Sequence, residues 1–484
     1  MKEEIKFGTD GWRGIIGFDF IEEKVKIISN GISQYLNSKN KNKTTGCKVI
    51  VGYDTRFLSN KFAETAARIF AENRISALIS SSYITTPMLS YSVVKNNADL
   101  GIMITASHNP YYYNGYKIKG PYGGSATPNI VSEIEKKVNA LNNVKDCEPC
   151  LDKVGKNSGN GYKDVSKLDL IPDYKKYILS LVDTDIIKGF KFPLLIDPMY
   201  GAGQTIYKDI LQSLDPSEVY EIHSNINTSF GGINPEPIGD NLNEAISALK
   251  EKHCKLAICL DGDGDRIGAI GEEGNFVSSH HIFAIVLNYL VKYKKLYGKV
   301  VKTFTTSSII DRICAKYNLE LITTPVGFKY ISEEILSGGV IMGGEESGGL
   351  WASGYIPERD GMLMGLILLE ILCRQHKTVN EVLGDIYNEF GYFVYRRQDY
   401  KTDPYKKEKL IKLLSKGIPE LLKNEGAREP VTVDGYKYFL SDGSWIMIRI
   451  SGTEAVTRVY VESSSSQRLD YLHKLGKKLL SDLN

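Results

Sequence analysis

The chain has 484 residues, 42% of them hydrophobic and 24% charged, an ordinary balance for a globular protein in water. Its 60 basic and 58 acidic residues leave a net charge of +2, which gives no ground for a nucleic-acid or acidic-membrane partner. The longest apolar run, residues 362–373, is too short for a bilayer and carries Glu370, and no apolar leader precedes Phe7.

Seven scattered cysteines fit a reducing, cytoplasmic compartment better than a disulfide framework. Cys147 and Cys150 form one CxxC in a polar stretch. A zinc site needs a second pair, and none lies at suitable spacing, so this reads as an incidental loop.

The length predicts three or four domains. In chain order, a strand is predicted at 49–51, a helix over 62–70 and a buried strand at 100–104. Further strands are predicted at 193–196, 256–260, 300–304 and 340–342. Strands alternating with helices imply crossover units and mostly parallel sheets, which bind ligands beyond the carboxyl ends of their strands. The stretch 154–167, rich in Gly, Asn and Ser, reads as a linker. A second boundary is predicted near 271–274 and a third at 392–404, where the helical pattern is lost. Beyond it, a helix over 406–422, antiparallel strands at 431–440, 445–450 and 457–462 and a helix over 467–480 form an α+β module.

Four loops carry chemistry. After the strand at 100–104 comes Thr105-Ala106-Ser107-His108-Asn109-Pro110, with Lys117 shortly beyond. A serine at a strand end is an exposed nucleophile if its neighbours activate it. After 256–260 comes Asp261-Gly262-Asp263-Gly264-Asp265-Arg266. Three alternating carboxylates repel one another unless a cation sits among them, and hard oxygen ligands suit Mg²⁺. An EF-hand requires glycine at its sixth loop position, where this chain has Arg266, so that residue instead suggests a phosphate beside the metal. After 340–342 comes Gly343-Gly344-Glu345-Glu346-Ser347-Gly348-Gly349, whose acids and hydroxyl suit vicinal sugar hydroxyls. Last, Arg449-Ile450-Ser451-Gly452-Thr453-Glu454, with Arg458, offers hydroxyls, backbone N–H groups and two guanidinium groups to a phosphate dianion. There is no GxxxxGK[ST], and Gly201-Ala202-Gly203 lacks the third glycine of a dinucleotide loop.

These loops, with Phe7-Gly8-Thr9-Asp10-Gly11-Trp12-Arg13-Gly14, resemble in order the α-D-phosphohexomutase superfamily. The resemblance implies an α/β protein with four domains around a central cleft, three α/β domains with mixed sheets and a smaller C-terminal α+β domain. The expected division is 1–160, 161–271, 272–390 and 391–484. It implies phosphorylation of Ser107 and a Mg²⁺ held by that phosphate with Asp261, Asp263 and Asp265. Lys117 becomes the acid/base candidate, His108 supports the serine and Arg266 stands by the transferring phosphate. Glu345 and Ser347 would bind sugar hydroxyls, Gly327 would belong to a substrate loop and Arg13 would face the cleft. Arg449, Ser451, Gly452, Thr453 and Arg458 would hold the phosphate that is not reacting.

The implied reaction interconverts hexose 1-phosphate and hexose 6-phosphate through a hexose 1,6-bisphosphate. Partners are the sugar phosphate alone, with the protein a monomer or homodimer. The 325–329 loop and the Glu345-Glu346-Ser347 sequence look like glucose-preferring relatives. Mannose phosphate or dual specificity is the alternative, ahead of glucosamine phosphate, a metal-dependent sugar phosphatase or a non-catalytic sugar-phosphate binder. Two positions depart from the pattern. Ala455 stands where relatives usually have proline. Gly349 stands where several bacterial relatives have a histidine proposed to handle protons. Arg359 is a substitute by position, but arginine stays protonated.

Overall fold

A computed structural model describes residues 4–8, 10–39, 46–143, 165–214, 218–451 and 455–481. Cys147, Cys150, Gly452 and Thr453 lie outside them, as does most of the predicted linker.

The first sheet contains β1 (Trp12–Ile15), β2 (Lys48–Tyr53), β3 (Ser76–Ser80), β4 (Leu100–Ile104), β5 (Tyr113–Lys119) and β6 (Ser166–Leu168), in the order β1-β5-β4-β2-β3-β6. Its middle is parallel, β5 runs antiparallel to β4, and β1 runs antiparallel to β5. Both faces are covered. Val49, Val51, Ile102 and Ile104 enter one apolar core, and Ile50 and Met103 enter another. This period of two, with both sets buried, is why the strands read as continuous apolar runs. β6 belongs to the stretch expected as linker and lies beyond residue 160. It pairs in parallel with β3, so the first sheet extends past that point.

The second sheet contains β7 (Leu194–Asp197), β8 (Val219–Glu221), β9 (Leu256–Leu260), β10 (Ile267–Gly271) and β11 (Phe276–Val277), in the order β11-β10-β9-β7-β8. The third contains β12 (Lys299–Thr303), β13 (Glu320–Thr324), β14 (Val340–Gly344) and β15 (Leu350–Ala352), in the order β13-β12-β14-β15. Both are mixed. The fourth is wholly antiparallel: β16 (Val394–Lys401), β17 (Tyr436–Phe439), β18 (Trp445–Ile450) and β19 (Val456–Ser463), ordered β16-β19-β18-β17, with the helix Ser466–Ser481 against it.

The C-terminal elements correct the sequence in three places. The expected boundary at 392–404 holds β16, paired with β19 over eight residues. It sits at the sheet edge with most of its side chains at least partly exposed, so it carries little apolar alternation. The expected helix over 406–422 is two helices, Pro404–Leu414 and Glu420–Lys423. Gly417, at φ +108, and Pro419 separate them. The strand expected at 431–440 shortens to β17, because Gly435 turns the chain at φ +117.

The apolar run at 362–373 lies in the buried helix Gly361–Gln375, capped by Asp360. Its Glu370 is satisfied internally, accepting from Tyr289 Oη at 2.6 Å and from the Asp183 N–H at 3.0 Å. No helix among the described residues is long and apolar enough to cross a membrane.

All four chemistry-bearing loops connect antiparallel neighbours: β4–β5, β9–β10, β14–β15 and β18–β19. Several polar contacts tie the fourth sheet to the third segment. Glu462 accepts from the Ser308 N–H at 3.1 Å, Asp434 accepts from the Val326 N–H at 2.9 Å, and Lys437 Nζ donates to the Phe304 carbonyl at 3.2 Å.

Candidate active site

Beyond β4 the chain turns abruptly, and Ser107 takes a left-handed backbone at φ +53. Thr105 shapes the turn. Its hydroxyl accepts from the Ser107 N–H at 2.9 Å and donates to Asp54 Oδ2 at 2.6 Å. Ser107 is buried. Its Oγ donates to Asp261 Oδ2 at 2.8 Å and lies 3.4 Å from His108 Nδ1. A Cβ on Gly262 would lie 2.5 Å from the Ser107 carbonyl oxygen. Glycine is therefore required at 262 for the serine loop and the aspartate loop to pack backbone against backbone.

Asp261, Asp263 and Asp265 are completely buried, with ligand oxygens within 4.8 Å of one another. Burial and the repulsion of Asp265 and Asp263 push the Asp261 carboxyl well above its ordinary range. Asp263 Oδ1 and Asp265 Oδ1 are buried with no hydrogen-bond partner. An orphaned buried acceptor is costly, and converging carboxylate oxygens of this kind suit a hard divalent cation. The residues therefore fit Mg²⁺.

Lys117, also buried, meets the triad from the side of β5. Its Nζ lies 2.8 Å from Asp10, 2.8 Å from Asp263 and 3.1 Å from Asp265. Burial pulls its pKa down, but Asp10, Asp263 and Asp265 outweigh that and hold it well above the ordinary lysine value. The lysine is an ammonium, so the lowered pKa that a base would need is reversed by its neighbours. His108 shifts the opposite way. Burial, then Arg266 and Arg13, depress it well below the usual imidazole range, leaving the ring neutral. Arg266 pairs with Glu236 at 3.1 Å, and Arg13 donates to Asn109 Oδ1.

Arg359 joins the metal loop to the sugar loop. Its guanidinium reaches Asp10 at 2.7 Å, Asp265 at 2.9 Å and Glu345 at 2.9 Å. The other Glu345 oxygen accepts from the Gly327 N–H at 3.0 Å. A Cβ at Gly349 would stand 2.5 Å from Arg359 Cδ. The glycine leaves the space that this arginine fills. Gly349→Ala should cost about 1–3 kcal/mol, since three carboxylates hold the guanidinium against displacement. Urea unfolding measures this, and an unchanged midpoint would show that Arg359 moves aside freely.

Ser347 and Glu346 line a cavity of about 980 Å³, with Glu236, His280, Arg397 and Asp399 among the other walls. Arg449 and Arg458 are direct cross-strand partners, so they share one face of the fourth sheet. Asp434 lies 3.1 Å from Arg449, and Asp399 lies 3.3 Å from Arg458. Ser451 is buried beside them, and its carbonyl accepts from Lys407 Nζ at 2.6 Å.

Sequence reasoning passed over Asp10, Arg56 and Arg397. Asp10 lay within the first quoted motif without a role. Arg56 follows the carboxyl end of β2, the usual place for ligand-side residues, and that position was the available signal. Arg397 lies on β16, which was not recognised as a strand. Its guanidinium lies 3.6 Å from Glu346 across the cavity.

Residues 4–145, 172–274 and 278–390 match, in that order, the models of phosphoglucomutase/phosphomannomutase alpha/beta/alpha domains I, II and III, and 406–474 match that of the C-terminal domain. A phosphoglucosamine mutase of Methanocaldococcus jannaschii is 31% identical over 440 residues, covering 90% of this chain and 92% of that protein. A phosphoglucomutase of Komagataeibacter xylinus is 28% identical over 507 residues, covering 96% and 88%. A solved structure from Thermus thermophilus that carries the name phosphomannomutase superposes with a TM-score of 0.84 at 30% identity, covering 99% of this chain and 100% of that one.

Proposed function

The chain belongs to the phosphoglucomutase/phosphomannomutase family of intramolecular phosphotransferases, and we propose that it moves a phosphoryl group between positions 1 and 6 of glucose phosphate by way of Ser107. One observation carries this reading: the Ser107 hydroxyl is 2.8 Å from Asp261, inside a buried triad with unpartnered oxygens, so nucleophile and cation site are shared.

In the proposed cycle, phosphorylated Ser107 gives its phosphoryl group to the free hydroxyl of a hexose monophosphate. The Oγ–P bond breaks and a sugar O–P bond forms. The resulting hexose 1,6-bisphosphate turns round and returns its other phosphate to Ser107. Lys117 would give a proton to the departing Oγ once a cation bound by Asp263 and Asp265 offsets the carboxylates that hold its pKa up. It recovers that proton from the hydroxyl that has accepted the phosphate. Neutral His108 acts as a hydrogen-bonding neighbour and contributes no charge. Phosphoryl transfer asks chiefly for alignment and neutralisation. Arg266 and Arg13 supply fixed positive charge. Mg²⁺, held by Asp261, Asp263, Asp265 and the phosphate on Ser107, would neutralise the remaining phosphate charge.

Arg449, Arg458, Ser451, Gly452 and Thr453 are proposed to grip the phosphate that is not reacting. Binding energy spent there aligns the reacting hydroxyl. Glu345, Ser347 and Gly327 are proposed for the sugar. Glu345 is already engaged by Arg359 and Gly327, which orients it before any sugar arrives.

Glucose phosphate is proposed because of the Glu345-Glu346-Ser347 loop. Glucosamine phosphate is the second reading, favoured by the 31% identical relative of that name. Glucose 1-phosphate, mannose 1-phosphate and glucosamine 1-phosphate should be compared in one assay of 6-phosphate formation that also monitors inorganic phosphate. The highest kcat/KM is expected for glucose 1-phosphate, without phosphate release. A higher value for glucosamine 1-phosphate would replace the sugar assignment, and stoichiometric free phosphate would replace mutase by phosphatase.

A further inference from the structure

The Ser107 loop is held from beneath by a single buried guanidinium. Arg56 Nη2 donates to the carbonyls of Ser107 and Asn109, both at 2.6 Å. Nη1 donates to those of Pro110 at 2.9 Å and Tyr113 at 3.0 Å. Nε lies 3.2 Å from Asp54 Oδ2, and both side chains of this pair are 0% exposed. The ring of Phe230, from the second α/β segment, lies 4.8 Å from the guanidinium carbon.

Four peptide carbonyls converging on one buried point would repel one another and go unsatisfied without a planar donor fork between them. Asp54 grips the near end of the same loop. Its Oδ2 accepts from Thr105 Oγ1 at 2.6 Å, and its Oδ1 accepts from Ser59 Oγ at 2.7 Å. The ion pair thus spans the loop from residue 105 to residue 113. Between these anchors Ser107 is held at φ +53, a conformation costing on the order of 1–3 kcal/mol for a residue with a side chain. With the Ser107 carbonyl turned to Arg56, its hydroxyl is directed to Asp261 on the other side. Asn109 extends the effect: its carbonyl rests on Arg56 while its side chain receives Arg13.

We infer that Arg56 is the positioning residue of the phosphoryl-transfer centre. It fixes the left-handed Ser107 turn through four carbonyls, and so sets the direction from which the serine oxygen faces the aspartate triad. Phe230 stacks on the guanidinium, and Thr55 Oγ1 donates to the Tyr200 carbonyl at 2.8 Å, so the clamp also registers the serine loop against the segment that carries the triad. The inference rests on the proposal that Ser107 carries the phosphoryl group.

The test is Arg56→Lys, which retains a positive charge and loses the fork. Since displacing a reacting group by about 1 Å costs about 100-fold, kcat per folded molecule should fall by about that factor. KM for the sugar phosphate should stay within about threefold, because the clamp's contacts are with Asp54, residues 107–113 and Phe230 and not with Arg449 or Arg458. The ³¹P resonance of phosphorylated Ser107 should shift as well. A role confined to stability would lower the unfolding midpoint and leave kcat per folded molecule and the ³¹P resonance unchanged, which overturns the inference. If Arg56→Lys does not fold, Phe230→Leu decides. That variant removes the ring beside the guanidinium at a buried position, so kcat is again read per folded molecule; it should fall severalfold at constant KM, and an unchanged kcat overturns the inference. Full turnover by a Ser107→Ala control would mean that the phosphoserine assignment itself had failed.

Discussion

Ser107→Ala should lose turnover by a factor on the order of 10⁴ or more, since removal of a covalent nucleophile disables the reaction as a unit. The structure allows this to be separated from misfolding. Ser107 is buried, and its side chain makes two contacts, with Asp261 and His108. Its turn is shaped by the Thr105 hydroxyl and by its own carbonyl on Arg56, and alanine retains both. The left-handed backbone costs alanine about what it costs serine. Circular dichroism and the unfolding midpoint should therefore stay close to wild type. Intact-mass measurement should show one covalent phosphate on the wild-type chain and none on the variant. Retained turnover would sink the phosphoserine assignment outright.

Removal of divalent metal should have a comparable effect. Chelation is expected to bring turnover to background, and Mg²⁺ should restore it. The reason lies in the charge of the triad. Three buried carboxylates are faced by Lys117 and Arg359, with Arg266 3.8 Å from Asp261, and the Asp261 carboxyl is still raised by burial and by its two neighbours. A divalent cation relieves that repulsion and satisfies Asp263 Oδ1 and Asp265 Oδ1. Binding confined to the folded state at 100 times Kd adds about 2.7 kcal/mol of stability, so Mg²⁺ should also raise the unfolding midpoint. Asp263→Asn should abolish that midpoint shift along with activity. A Mg²⁺-independent midpoint in the wild type, together with activity in chelator, would refute the cation site.

Much of the centre was legible because its residues are chemically odd for their positions. Alternating aspartates right after an apolar strand have no cheap structural reason to exist, and Ser107 follows another strand in the same way. The protonation of Lys117 and the role of Arg359 were not legible. Lys117 lies on β5, opposite Met103, and what keeps it protonated are Asp10, Asp263 and Asp265, contributed by segments far away in the chain. Arg359 looked like a substitute by position alone. The structure shows why Gly349 accompanies it: the two compete for one volume. Arg56 was passed over, since nothing local reveals that four carbonyls from residues 107–113 will fold over it.

The α/β segments, the order of the four loops and the chemistry each can offer were all readable from the chain itself. They depend on periodicity, on glycine and on side-chain type, which are local properties. Folding in three dimensions was needed to make the first three loops antiparallel turns, to close the last sheet with 394–401 as an edge strand, and to settle which charges face which. Protonation and orientation are set by groups within a few ångströms in space, and in this protein those neighbours come from segments as far apart as Asp10 and Arg359.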